Sequence, residues 1–183
     1  MRLWRVMGWD PSAPSATPGD PLWIPRAFQG TGRHDAPDRY GCLYLAEEAV
    51  SAVAESLAPF RGTGDLRPEF LVRSGLALGL AHLELDAEAL LVDLDEPGVL
   101  AAEALRPSIV ATGHRTVSQA YAVELFERHP DAAGLRWWSS LEASWLNVTL
   151  FDRSLSTVTV QDVHALVVDD DVVVSAAAFL GLA

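Results

Sequence analysis

The spacing of apolar and polar positions changes period several times along the chain, and each change predicts an element. Charged and apolar side chains alternate from Arg2 to Met7, which predicts a half-buried first strand in which Leu3 and Val6 flank Trp4 and Arg5. Residues 10–21 hold four prolines among serine, alanine and glycine and read as an extended loop. Trp23, Ile24 and Phe28 are expected to bring the chain back to the core. Tyr40, Cys42, Leu43, Tyr44 and Leu45 suit a buried strand ending near Tyr44. From Ala46 the spacing turns helical: Val50, Val53, Ala54 and Leu57 recur at i, i+3, i+4 and i+7, and Pro59 ends the run.

Further on, residues 61–68 read as a turn and Glu69 to Val72 as the start of a strand. The stretch 76–94 has period two, broken by Gly75 and Gly79, and predicts strands. Pro97 opens a short helix over 97–105. Thr116 or Ser118 can cap a helix through about His129, with Val117, Ala120, Tyr121 and Leu125 on its apolar side. Leu135 to Trp138, Trp145 to Phe151 and Thr157 to Val168 read as strands. Asp169, Asp170 and Asp171 form a solvated turn, and Val172 to Ala183 fits either a strand or a last helix. Short strands mixed irregularly with about three helices predict an α+β fold with mixed sheets, not a doubly wound parallel sheet. A chain of 183 residues predicts a single domain, 1–183.

Composition removes several kinds of function. Thirteen basic residues against twenty-five acidic ones give a formal charge of −12, which opposes direct binding to nucleic acid and to anionic membranes. All thirteen basic residues are arginine. Without lysine there is no Schiff-base chemistry and no Walker-type phosphate loop. Cys42 has no second cysteine to pair with and sits among apolar residues, so it reads as an inert thiol. No apolar run approaches the roughly 18 residues that span a bilayer, and no signal peptide is evident, so the expected location is the cytoplasm. His34, His82, His114, His129 and His164 lack zinc-site spacing, so no metal is expected. Ser139 lies in no Gly-x-Ser-x-Gly elbow, which argues against an acyl-enzyme serine.

Arg33, Tyr44 and Glu55 are chemically capable side chains on three different local structures, a loop, a strand and a helix. Arg33 lies in a Gly/Pro-punctuated loop. Glu55, at about 100° per helical residue, falls away from the apolar stripe and near Glu48 and Ser51. Ser139 follows Trp137 and Trp138, with Trp145 close behind, a group able to stack on a ring-shaped ligand or simply to cover a core. Arg136 and Arg153 flank that group and can grip an anion through guanidinium hydrogen bonds.

Taken in order, Arg33 in a Gly-Arg-x-Asp loop, then Leu43-Tyr44-Leu45-Ala46, then Glu55 resembles the first half of the RES domain, named for its Arg, Glu and Ser. Gly134-Leu135-Arg136-Trp137-Trp138-Ser139 and the strand ending Leu150-Phe151-Asp152 resemble the second half. The resemblance implies a fold similar to the ADP-ribosyltransferase toxins and an NAD-consuming toxin of a toxin–antitoxin pair. It implies NAD as substrate, inorganic phosphate as an optional co-substrate, a cognate antitoxin as partner, and more than one copy of the chain in the assembly. By the same resemblance Arg33 belongs to the pyrophosphate side, Tyr44 to stacking with Tyr40 competing for that role, Glu55 to the ribose, and Ser139 or its neighbour Ser140 to positioning. Trp138 is the tryptophan assigned to the ligand. Phosphorolysis, hydrolysis and ADP-ribosyl transfer to a host protein stay open, as does a catalytically silent binding module whose acidic surface serves a basic partner.

Overall fold

In chain order the elements are β1 (Arg2–Gly8), β2 (Cys42–Ala46), α1 (Ala49–Leu57), β3 (Val72–Arg73), β4 (Leu76–Leu85), β5 (Leu91–Asp93), α2 (Pro97–Ala102), α3 (Pro107–Val110), α4 (Arg115–Arg128), β6 (Gly134–Trp138), β7 (Leu146–Phe151), β8 (Val158–Ala165) and α5 (Asp171–Leu180). They are seen in a computed structural model that describes residues 1–182. The fold is α+β, with both parallel and antiparallel strand pairs. Residues 1–23, 46–84 and those from Thr159 onward form one compact unit, and residues 24–45 and 85–158 form another.

In the first unit β1 lies antiparallel to β4 along its whole length, from Arg2 opposite Glu84 to Gly8 opposite Leu78. The two-residue β3 pairs with the start of β4, and β8 also pairs with β4. Helix α1 packs on β1 and on α5. Its buried side is made of Ser51, Ala52, Val53, Ala54 and Leu57, and that of α5 of Val173, Ala176, Ala177 and Leu180. Alanines on both faces let the two helix backbones approach closely. Helix α5 ends at Gly181, whose φ of 72° is the left-handed conformation that glycine adopts at least cost.

In the second unit the strand order is β2, β7, β6, β5. Strands β6 and β7 are antiparallel and β5 is parallel to β6. Gly134, opposite Leu150 at the β6 start, leaves no room for a side chain, since a Cβ there would lie 2.2 Å from the Thr149 carbonyl oxygen. The core gathers Tyr40, Leu94, Leu100, Tyr121, Leu125, Leu135, Trp137 and Phe151.

The departures from the sequence reading are local. Helix α1 begins at Ala49 because β2 runs on to Ala46, and Ser51 is buried instead of sharing the solvent side with Glu55. Phe28 does not return to the core: it sits on a 3-10 turn, 83% exposed. Residues 68–71 form a 3-10 turn starting on Pro68, with only Val72 and Arg73 in a strand. Helix α4 turns Ser118, Tyr121, Ala122 and Leu125 inward, so Val117 and Ala120 lie outside, and neither Thr116 nor Ser118 caps it, since it starts after His114. The ending from Asp171 is a helix. Five α-helices are present among the described residues, and three of them, α1, α4 and α5, have nine residues or more. Ala183 lies outside the described residues.

Candidate functional site

The loop that carries Arg33 is shaped by Asp35. One carboxylate oxygen accepts the Gly30 and Gly32 N–H groups, each at 2.7 Å, and the other accepts the Tyr44 hydroxyl at 2.7 Å. From the other side the Gln119 amide of α4 donates to the carbonyls of Gly30 at 3.0 Å and Gly32 at 2.9 Å. Gly32 is required at this point, because a Cβ would fall 2.6 Å from both Asp35 Oδ1 and the Tyr44 hydroxyl.

Arg33 is almost fully buried, at 5% exposure. Its Nη1 donates to the Val110 carbonyl at the end of α3, 3.0 Å away, and to the Thr112 carbonyl at 2.7 Å. The Ser118 hydroxyl donates to the Arg33 carbonyl at 2.6 Å. Its guanidinium carbon lies 5.0 Å from the centre of the Trp137 ring, within cation–π range. The second unit therefore brings Arg33 against the tryptophan-bearing strand β6.

Tyr44 is partly buried at the edge of the core, with its hydroxyl between the His34 N–H at 2.9 Å and Asp35. Burial, then the neighbouring Cys42 and Asp35, raise its pKa well above the usual phenol value, so it stays a proton donor. Tyr40 has no exposed surface; its ring packs against Phe126 and Phe151, and its hydroxyl donates to the His34 carbonyl at 2.7 Å. Its place is that of a core residue. Cys42 is buried too, and that burial, reinforced by Asp35, pushes its thiol up to about 12, as expected of an inert cysteine.

Ser139 directly follows β6 and is buried, its N–H donating to the Trp145 carbonyl at 2.7 Å and its Oγ accepting the Leu141 N–H at 3.0 Å. Ser140 is exposed. Trp138 is half-buried on the rim of the core cluster. Trp137, inward of it, donates its indole N–H to Thr149 at 3.0 Å.

Arg136 and Arg153, expected to hold an anion, have structural partners. Arg136 pairs with Asp93 at 2.7 Å across the β5–β6 pair. Arg153 donates to the carbonyls of Phe126, His129 and Ala132 around the end of α4 and stacks 4.1 Å from the Phe126 ring. Arginine at a helix C-terminus satisfies carbonyls that the helix leaves open.

Glu55 belongs to the first unit. It is exposed on α1, away from the buried side of that helix. The second unit also has a cleft of about 490 Å³ between β5, α2 and the end of α4, and none of the predicted residues lines it. Among the described residues no group of three or more His, Cys, Asp or Glu side chains is arranged to hold a metal ion, and no helix is long and apolar enough to cross a membrane.

Sequence reasoning missed His34, Asp35, Ser118, Gln119, Tyr121 and Thr149. The available signal was the spacing of Ser118, Tyr121 and Leu125 on α4, which places two hydroxyls on the inward face.

The family model for the RES domain matches residues 2–171. Among solved structures, a chain of the M. tuberculosis MbcT–MbcA toxin–antitoxin complex is similar, with a TM-score of 0.65 at 16% identity, covering 99% of this chain and 87% of that one. At that identity the likeness is one of fold. No curated protein matches the chain in sequence.

Proposed function

The chain belongs to the RES domain family, and from that premise we propose that it is the toxin of a toxin–antitoxin pair and that it cleaves the nicotinamide–ribose bond of NAD in the cytoplasm. The observation that carries the reading is the family match over residues 2–171, a span that contains Arg33, Tyr44, Glu55 and Ser139 in the expected order. The likeness of fold to a chain from a toxin–antitoxin complex supports a protein antitoxin as partner. Residues 1–183 act on this reading as one RES-like domain, and more than one copy is expected in the complex.

The chemistry asks for few groups. When the bond between ribose C1′ and the nicotinamide nitrogen breaks, its electron pair leaves with the ring. Nicotinamide departs neutral and positive charge builds on the sugar. A carboxylate stabilises that charge by the electrostatic logic of glycoside hydrolysis, and this role falls to Glu55. Arg33 serves the pyrophosphate side. Its fixed main-chain partners support this role, since a guanidinium already oriented loses little freedom on binding. Tyr44 and Trp138 pack against rings of the ligand, and Ser139, with Ser140 beside it, positions the ribose or the amide. The sugar cation is captured by a phosphate oxygen in phosphorolysis, or by water with release of a proton in hydrolysis.

The experiment is incubation of the purified protein with NAD, with and without inorganic phosphate, and identification of products by mass. Nicotinamide together with a phosphorylated ADP-ribose indicates phosphorolysis, and nicotinamide with free ADP-ribose indicates hydrolysis. Mass added to a second protein indicates transfer. Intact NAD in the presence of folded protein removes the proposal.

A further inference from the structure

One buried residue with no part in those steps touches most of the groups around Arg33. His34 has no exposed surface. Its main-chain N–H donates to the Tyr44 hydroxyl at 2.9 Å, and its carbonyl accepts the Tyr40 hydroxyl at 2.7 Å. Ring atom Nε2 lies 2.8 Å from the Tyr121 hydroxyl and Nδ1 lies 2.8 Å from Thr149 Oγ1. Thr149 also takes the Trp137 indole N–H, and Trp137 faces the Arg33 guanidinium. The contacts form a chain from Tyr121 through His34, Thr149 and Trp137 to Arg33.

The donor inventory limits the direction of each bond. An indole N–H only donates, so the Thr149 oxygen accepts from Trp137, while the Tyr121 and Thr149 hydroxyls can each donate to the imidazole or accept from it. A neutral imidazole carries one proton, so it donates to one of the two hydroxyls and accepts from the other. Burial, and then the positive charges of Arg33 and Arg115, hold His34 well below the usual histidine pKa and so keep it neutral. An imidazolium would leave the ring with no acceptor for either hydroxyl.

We propose that His34, as a neutral imidazole, is a positioning residue: its ring fixes Trp137, and with it Arg33, through Thr149, and its backbone N–H fixes the hydroxyl of Tyr44. The effect on turnover rests on the NAD reading; the effect on Arg33 does not.

Two variants and three readouts test it. His34→Phe keeps an aromatic ring beside Trp137 and removes both ring hydrogen bonds. His34→Gln keeps an acceptor toward Tyr121. Long-range proton–nitrogen spectra of the wild-type imidazole at pH 7 are expected to show one ring nitrogen protonated and the other bare; protons on both overturn the proposal. A crystal structure of His34→Phe, or of His34→Gln should the first variant not fold, is expected to show Arg33 displaced from Trp137; an unmoved guanidinium in both overturns it. Displacing a reacting group by about 1 Å can cost about 100-fold in rate. The kcat for nicotinamide release, per folded molecule, should therefore fall about that far in His34→Phe and recover in part in His34→Gln. A lower melting temperature with unchanged kcat would mean a purely structural role and overturn the proposal. If the wild type does not consume NAD, the functional reading fails, and the ring protonation and the Arg33 position still decide the role of His34.

Discussion

The Arg33 loop and the Glu55 helix hold their functional candidates by opposite means. Arg33 is buried, and its orientation depends on the Val110 and Thr112 carbonyls and on a loop closed by Asp35, Gln119 and Ser118. Glu55 is exposed, and what places it is the register of α1, whose other face is buried. One position is buried and specified by hydrogen bonds among residues far apart in sequence, and the other is exposed and follows the period of an amphipathic helix. Function and stability should thus be coupled at Arg33 and separable at Glu55.

The largest effects test this contrast. Glu55→Ala should reduce nicotinamide release by about 1,000-fold or more, the scale lost with a principal electrostatic group, while the melting temperature stays close to wild type. Arg33→Ala should lose activity to a similar extent and also destabilise the fold by about 2 kcal/mol or more, since two carbonyls lose a charged donor; urea titration measures this. Equal destabilisation by both variants would erase the distinction.

A smaller effect is expected at Gly32. Gly32→Ala places a Cβ where Asp35 and the Tyr44 hydroxyl meet, so their bond must open and Arg33 shift, with turnover falling about 10- to 100-fold at unchanged helical content by circular dichroism. Smaller again, Ser139→Ala should cost about 10-fold, as for one hydrogen bond, and exposed Ser140→Ala should stay within about 2-fold. The reverse order would move the positioning role to Ser140.

The pH dependence of stability is the mildest probe. His34 binds a proton in the unfolded chain near 6.5 but resists it when folded. Its contribution is fully present above pH 6.5 and is lost as pH falls from there toward the depressed folded value, because the unfolded state then binds more protons. The denaturation midpoint should drop between pH 7 and pH 5 by more in wild type than in His34→Gln; parallel profiles would contradict a buried neutral imidazole.

What was legible in the sequence follows the same division. Period gave β1, α1, β4, β6 and β7 to within a few residues, and with α1 the outward direction of Glu55, because these elements bury one face and show it in their spacing. Helix α4 was located with Tyr121 and Leu125 on its inward side, but Val117 and Ala120 were placed there in place of Ser118 and Ala122, because a hydroxyl that is buried by being bonded, as Ser118 is, looks polar in sequence. Arg136 and Arg153 looked like anion ligands for a similar reason: Asp93 and the end of α4 are distant in sequence and met only in the folded unit. His34 could be weighed as a metal ligand from its spacing, but its four partners lie at positions 40, 44, 121 and 149, and no local pattern links them.

The most direct test of the central claim is the product of NAD in the presence of wild-type protein and of Glu55→Ala, both shown to be folded. The account predicts nicotinamide and an ADP-ribose product from the wild type and essentially none from the variant. Nicotinamide release at the same rate from both would contradict it.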